Sequence, residues 1–421
     1  MTNATESVLE AELTAAMAAM RALFKPTPLH KNEYLSHLYS AEIWLKREDI
    51  TPVRSYKIRG AINFFRAYFA NGGKAERFVC ASAGNHAQGF AFVCRAEKKH
   101  GTIFMPVTTP QQKIDKTKTF GGKYVSIVLK GDIFDECYAA AIEFAAYENA
   151  VMVPPFNHVD VVNGQATVGL EMLKQFDGLP DLIIMPVGGG GLSAGVITAF
   201  HARGVNPPLH LVEPVGAPSL HAALEAGKPE RVKKVDNFVD GAAVAEMGAV
   251  PFAIIKDYTP MTKALVPENR LCGTILKILN IEGIVLEPAG ALSIDALKDF
   301  TPEFLRGKRI ICIVTGGNFD FERLPDVKER AMRFEGLKKY FIIRFPQRPG
   351  ALRDFLEMLG PDDDIARFEY LKKSARNFGS VLIGIETKDA GNFASLFEKF
   401  ESHGIQYDDI TENETLANLI I

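Results

Sequence analysis

The sequence predicts an α/β fold followed by a smaller α+β unit. Three observations carry that prediction. From about Glu42 to Thr315, short runs rich in Val, Ile and Phe alternate with longer stretches of helical pattern. These runs are apolar throughout rather than alternating, as in strands of a parallel sheet buried on both faces. The chain has 421 residues, and at about 150 residues per domain two or three folding units are expected.

Taken in order, residues 9–24 form an Ala-rich amphipathic stretch. Strands are predicted at 78–81, 102–107, 124–129, 182–187, 209–212 and 309–314, with helices between them over 61–68, 133–147 and 193–202. Ligands are then expected at the carboxyl ends of the strands. Around residues 320–339 the pattern becomes charged and helical, and a fresh strand at 340–345 leads into Pro346, Arg348, Pro349 and Gly350. The remainder reads as helix 351–359, strand 366–371, strand 380–386, helix 392–403 and a short strand near Ile405. A β-α-β-β-α-β order of this kind predicts a ferredoxin-like sandwich. The expected domains are 1–335, with a smaller subdomain at roughly 60–165, and 336–421.

Composition narrows the function classes. Hydrophobic residues make up 47% and charged residues 24%, enough for a packed core. The 48 Lys and Arg against 51 Asp and Glu leave a net charge of -3, so nucleic acid and membrane surfaces are not the expected partners. Five scattered cysteines, without a C-x-x-C pair, indicate neither a disulfide framework nor a metal site. There is no secretory signal pattern and no run of eighteen apolar residues. A soluble cytoplasmic protein acting on a small molecule is expected.

Four segments concentrate polar groups at strand ends or helix starts: Ser55 to Gly60, Ser82 to His86, Gly188 to Ser193, and Thr315 to Asn318. Gly188, Gly189, Gly190 and Gly191 follow a predicted buried strand and precede a helix, so their N–H groups can converge on a phosphate. Four successive glycines cost folding entropy, which favours a functional reading over a plain tight turn. Gly189, Gly191 and Ala194 also fit G-x-G-x-x-A, and Glu213 lies where a ribose-binding acid would, so a nicotinamide-dependent oxidoreductase using residues 188–195 stays open. That reading leaves Lys57 and Asn85 unexplained. A lone lysine is ordinarily a solvated surface group, but an amine beside a phosphate loop can form a Schiff base with an aldehyde cofactor.

Together, Lys46 to Asp49, Ser55 to Gly60, Ser82 to Gly89 and the glycine loop resemble the tryptophan-synthase β type of pyridoxal-phosphate enzymes (fold type II), and more narrowly the threonine dehydratases. The resemblance extends over residues 9–333, including Lys25 to Leu29 and Leu286 to Ala291. The segment Arg348 to Leu352 resembles the ACT-like regulatory domain of the biosynthetic members. The resemblance implies pyridoxal 5'-phosphate as cofactor, with Lys57 as the Schiff-base lysine and Asn85 bonding the cofactor's phenolic oxygen. It implies Gly188, Gly189, Gly190, Gly191 and Leu192 as the phosphate cradle, Thr315 facing the pyridine nitrogen, and Tyr56 as an aromatic surface beside the ring. Thr315 stands where Ser or Cys is common, Tyr56 where Phe is commoner, and Ala166 where many relatives have Gly. Ser82, Ala83, Gly84, Asn85 and His86 are implied to hold the substrate carboxylate, although His86 can equally pack within its helix. Glu287 either approaches the cofactor or caps its own helix.

The implied reaction is β-elimination of L-threonine to 2-oxobutanoate and ammonia, with L-serine giving pyruvate, at the first step of isoleucine synthesis. Serine racemases place a serine at the position of Ala83, so its absence favours elimination. The regulatory domain implies feedback by isoleucine, opposed by valine, in a homo-oligomer, either a tetramer or a dimer. A cysteine-synthase-like β-replacing enzyme and a non-catalytic amino-acid sensor remain as alternatives.

Overall fold

The computed structural model describes residues 3–370 and 377–413. The chain divides into two compact units, 1–320 and 321–421. The first contains strands β1 (Leu29–Lys31), β2 (Glu42–Arg47), β3 (Arg77–Ala81), β4 (His100–Met105), β5 (Val125–Leu129), β6 (Val151–Met152), β7 (Leu182–Pro186), β8 (Leu209–Pro214), β9 (Met261–Val266) and β10 (Arg309–Val314). They form two sheets. The larger runs β1-β2-β10-β7-β8-β9, parallel except for β1 against β2. The smaller runs β5-β4-β3-β6 and is wholly parallel.

Continuous apolarity explains which strands the sequence reveals. Every residue of β7 and β8 is buried, and in β10 only Arg309 is partly exposed. The six predicted strands are observed within about two residues of their expected limits. Four others are not predicted: β1 and β6 are three and two residues long, β9 is a half-exposed edge, and β2 carries Lys46 and Arg47.

The helix expected over 61–68 is instead Lys57–Ala70, so Lys57 is its first residue rather than a preceding loop residue. Gly60 weakens helix propensity, yet a Cβ there would come within 2.7 Å of Val161. The close crossing with the helix Val159–Gln175 requires it, and Gly164 lies at the same contact, where a Cβ would sit 2.8 Å from Gly60 Cα. Ala166 is fully buried in that second helix, facing Gly195 of the helix Gly191–Ala202.

The second unit holds β11 (Lys338–Pro346), β12 (Asp364–Tyr370), β13 (Phe378–Glu386) and β14 (Tyr407–Asp409), with helices Ala351–Leu356 and Asn392–Ser402. The sheet order β12-β13-β11-β14, antiparallel at each pairing, is that of a ferredoxin-like sandwich. Phe341, Ile343, Phe345, Phe355, Ile383 and Phe400 form its core. The predicted strand 366–371 ends on Leu371, which lies outside the described residues. The expected boundary at 335/336 differs from the observed one. The helix Leu324–Phe334 falls in the second unit, because buried Lys338 on β11 binds Glu329 on that helix at 2.6 Å and Glu386 on β13 at 2.8 Å.

Candidate active site

The fold brings the four polar segments together in the first unit. Tyr56 N–H donates to the Thr315 carbonyl at 3.1 Å and Gly317 N–H to the Arg54 carbonyl at 2.9 Å, with a bridge between Ser55 and Gly316. The Lys57 segment is thereby stitched to the carboxyl end of β10. Asn318 Nδ2 donates to Asn85 Oδ1 at 2.8 Å, which joins the segment after β3. Phe156 joins the glycine loop, since a Cβ on Gly189 would collide with its ring, and that ring lies 5.7 Å from Lys57 Nζ.

Lys57 is only partly exposed. Its Nζ sits between two aromatic faces, 5.2 Å from the centre of the Tyr56 ring and 5.7 Å from that of Phe156, and donates to the Pro155 carbonyl at 3.4 Å. No carboxylate pairs with it among the described residues, so the amine is held without being neutralised. Phe156 and Pro155 were not legible as site residues in the sequence.

The glycine run turns from β7 into the helix Gly191–Ala202, with Gly190 at φ 84°. That backbone conformation is costly for any side chain but glycine. A Cβ on Gly188 would lie 3.0 Å from the Ala242 backbone. Leu192 is buried in the core and anchors the loop. Among the described residues, the buried hydroxyls of Thr315 and Ser193 have no partner. Buried hydroxyls nearly always have a partner, so these two mark a place for a polar ligand. An anion cradle at a helix N-terminus, a free amine and an orphaned hydroxyl fit a phosphorylated pyridine aldehyde.

Asn85 begins the helix Asn85–Ala96 and donates its Nδ2 to Glu287 Oε1 at 2.7 Å. Glu287 stands at the N-cap of the helix Pro288–Asp295 but makes no side-chain cap bond, so of its two expected roles the structure shows the carboxyl turned into the site. Burial, and then the charge of Asp240, raise its pKa to about 8, against the opposing Asn85 bond, Lys113 and the Asn318 N–H. His86 is committed elsewhere. Its Nε2 meets the Val153 carbonyl at 2.9 Å, and burial followed by the Lys57 charge lower its pKa to about 4, so a neutral ring donates there and the backbone N–H is the donor left for a substrate carboxylate. Ser82 Oγ accepts from Gly84 N–H at 3.2 Å, keeping its own hydroxyl hydrogen to donate. Ala83 and Gly84 are partly exposed beside it.

Behind Lys57 lies a buried charge cluster that gives the Lys46 to Asp49 and Lys25 to Leu29 motifs a structural role. Arg59 is wholly buried and bonds Glu48 at 2.7 and 2.8 Å and Glu171 at 2.9 Å, while Lys46 bonds Glu171 at 2.6 Å. Thr27 Oγ1 donates to Glu48 at 2.6 Å. Glu213 is likewise consumed structurally. Its carboxylate accepts from Leu220 N–H at 2.6 Å and His221 N–H at 3.1 Å at the start of the helix Ser219–Ala226. No acid is left there for a ribose, which removes the support for the dinucleotide reading.

The chain is similar to known proteins along both units. The family model for pyridoxal-phosphate dependent enzymes matches residues 20–316, and that for the C-terminal regulatory domain of threonine dehydratase matches residues 329–420. A biosynthetic L-threonine dehydratase of Halalkalibacterium halodurans is 43% identical over 416 residues, covering 97% of this chain and 98% of the relative. The chain belongs to the biosynthetic threonine dehydratase family. The Bacillus subtilis member is 43% identical over 94% of this chain and 93% of its own length. Among solved structures, the processed form of threonine deaminase isoform 2 from Solanum lycopersicum is similar with a TM-score of 0.71 and 33% identity, over 79% of this chain and 94% of that one. A serine racemase from Dictyostelium discoideum shares the fold, with a TM-score of 0.66 and 24% identity, over 74% of this chain and 98% of that one. Threonine dehydratases thus share both units of this chain. No helix among the described residues is long and apolar enough to cross a membrane.

Proposed function

We propose that this chain eliminates water from L-threonine and releases 2-oxobutanoate and ammonia, and that it converts L-serine to pyruvate in the same site. The observation that carries the reading is Lys57 Nζ, unpaired by any carboxylate among the described residues, set between Tyr56, whose N–H is fastened to Thr315, and Phe156, which packs on the glycine cradle. When bound, pyridoxal phosphate supplies an aldehyde for the amine and an electron sink for the substrate's α-carbon.

The protein supplies the rest. Gly188 to Leu192 would hold the phosphate, the Thr315 hydroxyl would bond the pyridine nitrogen, and Asn85 would donate to the ring oxygen. Tyr56 and Phe156 flank the reacting amine. Lys57 Nζ would be the base that takes the α-proton, with the Pro155 carbonyl orienting it. The N–H groups opening the helix Asn85–Ala96 and the Ser82 hydroxyl receive the substrate carboxylate. Ala83 offers no proton to the far face of the α-carbon, which leaves elimination rather than racemisation.

The ferredoxin-like unit is the regulatory part, with isoleucine as inhibitor and valine opposing it. The same reading makes the chain a cytoplasmic homo-oligomer, a tetramer or a dimer, at the first step of isoleucine synthesis. Its test is the purified protein given L-threonine without any thiol, with and without isoleucine. Thiol-independent 2-oxobutanoate that isoleucine suppresses supports the whole reading. Product only with a thiol would favour β-replacement, and effector binding without ammonia would favour a sensor. Borohydride trapping followed by peptide mapping must label Lys57.

A further inference from the structure

Asn85 is pinned at both ends. Its Nδ2 donates to Glu287 Oε1 at 2.7 Å, and its Oδ1 accepts from Asn318 Nδ2 at 2.8 Å. The orientation is not arbitrary, because Asn318 spends its second amide hydrogen on the Val53 carbonyl at 2.9 Å. Asn318 must therefore present N–H to Asn85, and a rotated Asn85 would set amide N–H against amide N–H at that end. Among the described residues, nothing accepts the second Asn85 N–H. Its direction is set by residues that do not themselves reach Lys57 in the contacts described.

The chain makes room for Glu287 at some cost. A buried acid at an N-cap ordinarily serves its own helix, yet this one does not cap. A Cβ on Gly316 would collide with Glu287 Oε1, and one on Gly241 would lie 3.3 Å from it. Two glycines from separate segments thus clear space for a carboxyl that is only 4% exposed. The charged groups coupled to it are Asp240, from the segment that carries Gly241, and Lys113 and Lys116, from the helix Gln111–Gly121.

We propose that Glu287 and Asn318 are positioning residues that lock the Asn85 amide with its remaining N–H aimed at the ring oxygen of the cofactor. The inference rests on the reading of the site given under Proposed function. It assigns the second half of the Thr315 to Asn318 motif, which the cofactor contacts alone leave without a task.

The test uses the full-length holoenzyme. Glu287→Ala and Asn318→Ala should each shift the visible absorbance band of the bound cofactor and lower kcat about tenfold with little change in KM, as for the loss of one directed hydrogen bond. Asn85→Ala should produce the same band, and adding Glu287→Ala or Asn318→Ala to it should lower kcat no further, since residues acting through one group are not additive. Glu287→Gln keeps an acceptor oxygen and should recover most of the wild-type band. Asn318→Ala decides the matter if Glu287→Ala does not fold. An unmoved band per bound cofactor in the single variants, or effects that add in full to that of Asn85→Ala, overturns the inference while leaving the site reading intact. Absence of the label on Lys57 in the unmodified protein overturns both.

Discussion

Tyr56 N–H donates to the Thr315 carbonyl at 3.1 Å, so the residue before the proposed Schiff-base lysine is fastened by main chain to the residue proposed to face the pyridine nitrogen. The Thr315 side chain takes no part in that fastening, and its hydroxyl has no partner among the described residues. Removing an unpartnered buried hydroxyl costs a folded protein little. Thr315→Ala should therefore leave the stability of the cofactor-free protein within about 1 kcal/mol of wild type while weakening cofactor binding about tenfold. Thr315→Ser should restore it. Urea unfolding of the apoprotein and fluorescence titration with pyridoxal phosphate measure the two effects. Unchanged affinity beside a large stability loss would assign the hydroxyl to the fold instead.

The glycine cradle makes a second prediction, through Phe156. A Cβ on Gly189 would occupy the position of the Phe156 ring, which also flanks Lys57. Gly189→Ala forces that ring away, an overpacking worth about 1–3 kcal/mol. Cofactor affinity should fall about tenfold or more, and Gly189→Ala combined with Phe156→Ala should regain part of it. Should the double variant bind more weakly than either single one, the two residues act independently and the ring is not the obstacle.

What the sequence disclosed of this site follows from chemistry that repeats locally. The glycines of 188–191, Lys57 and Thr315 each sit beside a strand end or helix start that apolar runs make visible. Phe156 and Pro155 were not legible, because an aromatic and a proline in an irregular segment reach Lys57 only through tertiary folding. The strand β2 was missed for a related reason. Lys46 reads as a surface residue, and tertiary partners allow it to be buried: the carboxylate of Glu171, 125 positions along the chain, with the Thr27 carbonyl and the Gln175 amide oxygen. Glu287 was noticed, but its choice between cap and site depended on Gly316 and Gly241, whose missing side chains leave no local signal.

The Arg59 cluster predicts the behaviour of the fold in acid. Burial alone would raise the pKa of Glu171, but Arg59 and Lys46 outweigh it and hold the carboxyl down to about 2. A carboxyl depressed in the folded state contributes stability above its unfolded pKa, near 4.3, and that contribution is lost as pH falls toward 2. Arg59→Met leaves Glu48 and Glu171 with one buried cation fewer and should destabilise the protein by about 3–5 kcal/mol. Its acid unfolding midpoint should move to higher pH. Urea titrations at pH 7 and pH 4 measure both, and a midpoint unchanged in acid would mean that the cluster does not govern this limb.

Glu287 bends the pH dependence the other way. Its pKa is raised to about 8 by burial and by Asp240, so the native state keeps a proton that the unfolded chain gives up near 4.3. Between those values the folded protein binds more protons than the unfolded one, and stability falls with rising pH. Within that window a difference of one bound proton gives a slope of about 1.4 kcal/mol per pH unit. The contribution is complete below pH 4 and gone above pH 8. In the cofactor-free protein, Glu287→Gln cannot titrate, so its urea stability measured at pH 5.5, 6.5 and 7.5 should decline less steeply than that of wild type. Parallel lines for the two proteins would show that Glu287 is already ionised at pH 5.5, with the Asn85 bond, the Asn318 N–H and Lys113 outweighing its burial.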